Sequence, residues 1–104
     1  MTVDVFAALA SPIRRELLRL LRDEGPSPVQ QLAERFEMRR PSVSEHLKVL
    51  RDAGLVTERR SGRQRLYQLE AEPLRELVDW LSPYERFWRD RLSGLRQVLD
   101  EEDR

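Results

Sequence analysis

The segment Pro41-Ser-Val-Ser-Glu-His-Leu-Lys-Val-Leu-Arg-Asp-Ala-Gly54 runs directly into Leu55-Val-Thr-Glu-Arg-Arg-Ser-Gly-Arg-Gln-Arg-Leu-Tyr-Gln-Leu69. Its first part has proline where a helix starts and glycine where one stops, and helical periodicity puts Val43, Leu47, Leu50 and Gly54 on one face. Ser44, Glu45, Lys48 and Asp52 then point away from that face. The second part reads as two strands, Leu55-Val56-Thr57 and the alternating Arg65, Tyr67 and Leu69, joined at Ser61-Gly62, a dipeptide suited to a two-residue turn. Within Arg39–Arg65 stand eight Lys/Arg (39, 40, 48, 51, 59, 60, 63, 65) against three Asp/Glu (45, 52, 58), a local +5 in a chain whose 19 basic and 19 acidic residues cancel. The neutral total conceals a basic block on an acidic remainder, which is the electrostatic footprint of a nucleic-acid face.

Upstream, Val5, Phe6, Leu9 and Ala10 make a short helix, and Ser11-Pro12 supplies an N-cap and an N1 proline for a second. That second helix carries Ile13, Leu17, Leu20 and Leu21 on one stripe with Leu18 beside it, so Arg14, Arg15, Glu16, Arg19 and Arg22 are expected outward. Gly25-Pro26 ends it. Ser27-Pro28-Val29-Gln30 reads as a capping box that opens a third helix bearing Val29, Leu32, Ala33 and Phe36. Glu37-Met38-Arg39-Arg40 is a tight connection to the next helix. That helix starts at Pro41, or one residue later because Ser42-Val-Ser-Glu45 is itself a capping box, and the sequence leaves both open. Ala33 is small where two helices cross, which gives a helix-turn-helix. The tail is helical from about Glu72 to Leu81, and Ser82-Pro83-Tyr84-Glu85, a third capping box, restarts it. The expected fold is mostly α with a β-hairpin wing. It forms a single winged helix-turn-helix domain over residues 1–104, with N- and C-terminal dimerisation helices, the C-terminal one being the helical tail 71–102.

Several function classes are excluded or disfavoured. With no cysteine among 104 residues, there is no disulfide framework, thiolate metal site or Cys nucleophile, which suits a reducing cytoplasm. No apolar run approaches the ~20 residues of a membrane span, and Val5–Ala10 is too short for a signal peptide and lacks a basic flank. The carboxylates are scattered, no Gly-rich phosphate loop occurs, and Ser44 and His46, two apart on a helix, do not face each other. No enzyme and no cofactor is expected, and the lone histidine makes no metal site.

The candidate site residues divide into readers and grips. Ser42, Ser44, Glu45 and Lys48 are the outward, early residues of a helix of the right size for a major groove: Ser is permissive, Glu accepts from cytosine N4, and Lys donates to guanine. Arg59, Arg60, Arg63 and Arg65 surround the hairpin turn, where long side chains straddle a phosphate backbone or enter a minor groove. A charged edge that blocks aggregation is the plainer reading, but four arginines opposed only by Glu58 exceed that need. Arg39 and Arg40 precede the groove helix and position it on phosphates. His46 borders both the core stripe and the groove face, so a packed histidine and a phosphate or base contact both stand. In the tail, Leu77, Leu81, Tyr84, Trp88, Leu92, Leu95 and Leu99 follow a near-heptad stripe, with Trp80 and Phe87 beside it. It either folds onto its own monomer or, with Val5, Phe6 and Leu9, forms an isologous dimer interface. The second reading is preferred because so long a helix outreaches one small body.

Phe6-Ala-Ala-Leu-Ala-Ser-Pro-Ile-Arg-Arg-Glu-Leu-Leu-Arg-Leu-Leu21, then Pro41 to Val56, then Arg60-Ser-Gly-Arg63 and Tyr67, closely resemble the ArsR/SmtB family of small dimeric winged-helix repressors. The resemblance implies a homodimer on double-stranded DNA, at an operator overlapping a promoter that is often its own, released by an effector. It further implies that Ser44-x-His46-Leu47 lies in the DNA-reading helix and Arg63 on the wing. The family's metal sensors use cysteines in the third or groove-adjacent helix, or His and Asp/Glu on the terminal helix. Pro28–Phe36 has no cysteine and Tyr84–Glu102 no histidine, and the aromatic tail looks like that of metal-independent members. For these an organic ligand, a protein partner or no effector all fit. A winged helix used for protein docking and a non-specific architectural DNA binder are the alternative functions.

Overall fold

The computed structural model describes residues 3–91 and 94. The chain runs α1 (Val5–Ala8), α2 (Pro12–Glu24), β1 (Ser27–Pro28), α3 (Val29–Ala33), α4 (Arg40–Asp52), β2 (Val56–Ser61) and β3 (Gln64–Leu69). A 3-10 turn (Glu72–Leu74), α5 (Arg75–Leu81), a second 3-10 turn (Ser82–Tyr84) and a helix over 85–91 follow. Ser11 caps α2 as expected, its side chain accepting from the Arg14 amide at 3.3 Å, with Pro12 in the first turn. The apolar stripes of the helices meet in one core, where Leu17, Leu32, Val43, Leu47, Leu50, Leu55 and Val56 are fully buried. Among the described residues no helix is long and apolar enough to cross a membrane.

The junction between α4 and the wing is a Schellman motif. The Leu55 amide donates to the Leu50 carbonyl (2.9 Å) and the Gly54 amide to that of Arg51 (2.9 Å), with Gly54 at φ 78°. Only glycine adopts that left-handed conformation without strain. The chain therefore leaves α4 in one fixed direction and enters β2 at once.

Several expectations need correction. Ser27 does not cap α3. It lies in β1, fully buried, and its hydroxyl donates to the Gly25 carbonyl at 2.8 Å. Pro28 is the N-cap residue of α3 and offers no side-chain bond. The wing is consequently a three-stranded antiparallel sheet of order β1-β3-β2, Ser27 facing Tyr67 and Pro28 facing Leu66, rather than a hairpin alone. The hairpin turn falls on Gly62-Arg63, one residue later than expected, since Ser61 pairs with Gln64. Gly62 has φ 63° and Arg63 no positive φ, the pattern of a type II′ turn with glycine first. α3 stops at Ala33, leaving Phe36 in a turn closed by its amide on the Ala33 carbonyl. α4 begins at Arg40 with Arg39 as N-cap, one residue before the earlier of the two expected starts. Ser82 has helical dihedrals (φ −51°, ψ −45°), so it sits inside a tightened turn and caps nothing.

Leu47→Ala should lower unfolding free energy by about 2–5 kcal/mol, because the fully buried side chain leaves a cavity in a packed core. Gly54→Ala should lower it by about 1–2 kcal/mol through left-handed strain. Denaturant melts of both variants check this ordering.

Candidate nucleic-acid interface

α4 buries Val43, Leu47 and Leu50, and helical geometry then assigns its remaining faces. Glu45 and Lys48 are exposed on the side opposite the core. Ser42, exposed, and His46, half-buried, share one flank, while Ser44, half-buried, and Arg40 share the other. The flanks meet different neighbours. On the Arg40 side, Arg51 forms an ion pair with Glu58 of β2, which fastens the helix to the wing. On the opposite side, His46 Nδ1 lies 3.4 Å from Arg14 Nη1. Arg14 is thus half-buried between helices, contrary to the outward placement expected of it.

The wing separates its arginines by strand alternation. Arg60 and Arg65 are direct cross-strand partners and share a face with Glu58 and Tyr67, whereas Arg59 projects from the reverse face opposite Leu66. Arg63 occupies the turn. All four are exposed. Directly opposed like charges destabilise a strand pair, so the Arg60–Arg65 pairing has no use within the fold itself.

Between wing and helices lies a groove of about 440 Å³, lined by Arg40, Arg63, Arg65, Tyr67, Gln64 and the β1–α3 junction. Among the described residues, three guanidinium groups and no carboxylate face it. Burial, and then the Glu58 carboxylate, push the Tyr67 phenol above its ordinary range, so it stays a neutral hydrogen-bond donor.

Ion pairing sorts the cations further. Arg19, Arg22, Arg35, Arg75 and Arg89 contact carboxylates near them, while Arg39, Arg40, Lys48, Arg59, Arg60, Arg63 and Arg65 contact none among the described residues. Within the basic block Arg51 alone has a carboxylate partner among the described residues, and it takes Glu58, the hairpin's only acid.

The residues expected at a subunit interface are dispersed. Val5 is drawn into its own chain's core at 6% exposure, because α1 is short and turns inward. Phe6, Leu9 and Leu81 are half-buried. Phe6 meets Trp80 edge-on at 5.8 Å, and Trp80 lies 5.3 Å from Tyr84. Tyr84 and Trp88 are exposed, together with Val78, Trp80 and Phe87. Val78 was not singled out by its spacing, although it lies beside the Leu77–Leu81 row. Leu92, Leu95 and Leu99 lie outside the described residues.

This arrangement, a helix-turn-helix followed by an anchored wing, is the winged helix-turn-helix class. Residues 9–59 match the family described as helix-turn-helix domain. The HTH-type transcriptional regulator Rv2034 of Mycobacterium tuberculosis is 42% identical over 91% of this chain and 85% of its own length. The transcriptional repressor SdpR of Bacillus subtilis is 33% identical over 75% and 86%. Among solved structures, an ArsR family transcriptional regulator superposes with a TM-score of 0.69 at 37% identity, covering 81% of this chain and 86% of that one. The homodimeric winged helix-turn-helix DNA-binding domain Mb0332 of Mycobacterium bovis gives 0.62 at 30% identity, covering 76% and 75%. The chain belongs to the ArsR family of winged helix-turn-helix transcriptional regulators.

Because the folded state favours the protonated phenol of Tyr67, this contribution to stability is complete below the ordinary tyrosine range and is lost as pH rises through the elevated value. The ultraviolet difference titration between wild type and Tyr67→Phe should show a phenol ionising above that range, and Glu58→Gln should lower it.

Proposed function

We propose that this regulator acts as a homodimeric repressor that seats two α4 helices in successive major grooves of an inverted-repeat operator, ~34 Å apart, at a promoter that includes its own. Ser42, Ser44, Glu45 and Lys48 meet base edges, and His46 donates from the rim of the same helix. Arg39, Arg40, Arg59, Arg60, Arg63 and Arg65 hold phosphates, Arg63 and Arg65 across the basic groove from Arg40. The observation that carries this reading is the set of seven cations on α4 and the wing that have no carboxylate among the described residues. A surface left unneutralised within the fold is suited to a polyanion. The name of SdpR supports repression, and the homodimeric Mycobacterium bovis domain supports the dimer. Such an operator places the protein in the cytoplasm.

The subunit interface in this reading is formed by Phe6, Leu9, Leu81, Tyr84 and Trp88, extended by Leu92, Leu95 and Leu99. Its support is the row of exposed aromatics on the tail, each of which buries much apolar area when covered. Release from DNA does not use a thiolate-bound metal in this reading, since the chain has no cysteine and soft or borderline metals favour thiolate or imidazole donors.

Fluorescence anisotropy on upstream DNA tests the first part. If each subunit neutralises about four phosphates, log affinity against log salt should have a slope near about −7, and a slope shallower than about −2 refutes the DNA reading. Lys48→Ala and Ser44→Ala should reduce discrimination between operator and random duplex, whereas Arg63→Ala should weaken both alike. Uniform losses from all three overturn the assigned roles. Sedimentation tests the second part: a dimer at micromolar concentration that shifts toward monomer in the Tyr84→Ala, Trp88→Ala double variant is expected, and a wild-type monomer refutes it.

A further inference from the structure

We propose that Arg14 is a positioning residue for the groove helix, holding His46 as the neutral tautomer whose proton is on Nε2. The guanidinium spans three acceptors on two helices. Nε donates to the Ala8 carbonyl at 2.6 Å, Nη2 donates to the Ala7 carbonyl at 3.1 Å, and Nη1 faces His46 Nδ1 at 3.4 Å. Arginine carries donors only and stays protonated, so the nitrogen it faces must offer a lone pair. Nδ1 is that acceptor, and the proton of the neutral ring is then on Nε2.

The order of dependence follows from α1. This helix has four residues: the Leu9 and Ala10 amides donate to its Val5 and Ala7 carbonyls, whereas the carbonyls of Ala8 and Leu9 take no backbone donor among the described residues. Arg14 serves Ala7 and Ala8, and Arg15 Nη1 donates to the Leu9 carbonyl at 2.7 Å. Two carbonyls therefore fix the guanidinium plane, and the imidazole takes its orientation from that plane. Nε2 makes no hydrogen bond among the described residues, and no buried side-chain nitrogen or oxygen among them lacks a partner. The Nε2–H consequently reaches solvent, on the α4 flank it shares with exposed Ser42. Resting on the DNA reading above, this N–H is a donor held ready for a phosphate oxygen or a base acceptor. Arg14 also joins that donor to α1, whose Phe6 packs against the aromatic tail.

Nitrogen-15 NMR of the His46 ring in the full chain at neutral pH tests the assignment without DNA. A pyridine-like Nδ1 and a pyrrole-like Nε2 are expected, and a protonated Nδ1 overturns it. In Arg14→Lys, whose single ammonium cannot span three acceptors, both ring nitrogens should move toward averaged shifts while helix content is kept. Binding to a mixed-sequence duplex, read by anisotropy, should weaken about fivefold in Arg14→Lys, the worth of one hydrogen bond. In a His46→Gln background, where the side-chain amide keeps its donor whatever Arg14 does, the same change should have no further effect. Equal losses in both backgrounds overturn the positioning role. If the wild type holds no duplex the DNA reading fails separately, and the ring spectrum still decides the Arg14–His46 assignment.

Discussion

The inner face of α4 is the constraint from which the rest of this molecule follows. Val43, Leu47 and Leu50 are fully buried in the core that also takes Leu17 of α2 and Leu32 of α3. A helix held by three such side chains is not free to rotate about its axis, since any rotation brings leucine into water and Glu45 or Lys48 into the core. The outward directions of Glu45 and Lys48 are thus a property of apolar packing. The Schellman turn at Gly54 and the Arg51–Glu58 ion pair extend that constraint to the wing, so helix and hairpin present their basic groups as one body.

Charge placement complements the packing. Exposed ion pairs such as Arg19–Glu16 and Arg22–Asp23 contribute little to stability. Their effect here is on distribution: the acids near α2 are matched by local arginines, and the basic block keeps its surplus. The facing of Arg60 and Arg65 is unfavourable in isolation and becomes favourable only beside an anion. Tyr67, at the floor of the same groove, keeps its proton under physiological conditions and adds a neutral donor among the cations.

Much of this was legible in the sequence where a residue has one use. Ser11-Pro12, the stripe of α2, the stripe of α4 and the basic hairpin each carry periodicity or chemistry with a single structural reading, and each stands where that reading places it. The ambiguous signals were those a tertiary contact decides. Ser27 satisfies the rule for a helix cap, yet its neighbour across the chain, Tyr67, recruits it as a strand residue. Ser61-Gly62 suits a turn, but strand pairing moves the turn on by one residue. Arg14 looks like a solvated residue of an amphipathic helix because its acceptors, the Ala7 and Ala8 carbonyls at the end of α1, are invisible to periodicity. Val5 goes to the core with Ala8 while Ala7 faces solvent, a division that four residues of helix do not reveal as a period. Local rules find helices and charge, whereas pairing of distant segments does not follow from them.

The two-residue strand β1 divides the wing mechanically. Among the described residues it pairs with Leu66 and Tyr67, so the hairpin is clamped midway along β3, while the stretch from Arg60 to Arg65 around Gly62 continues as a two-stranded ribbon. A ribbon with a fixed fulcrum and a free end tilts more easily than it slides. In the DNA reading proposed above, its arginine tip then follows local variation in minor-groove width, and duplex stiffness contributes to site choice at base pairs no side chain touches.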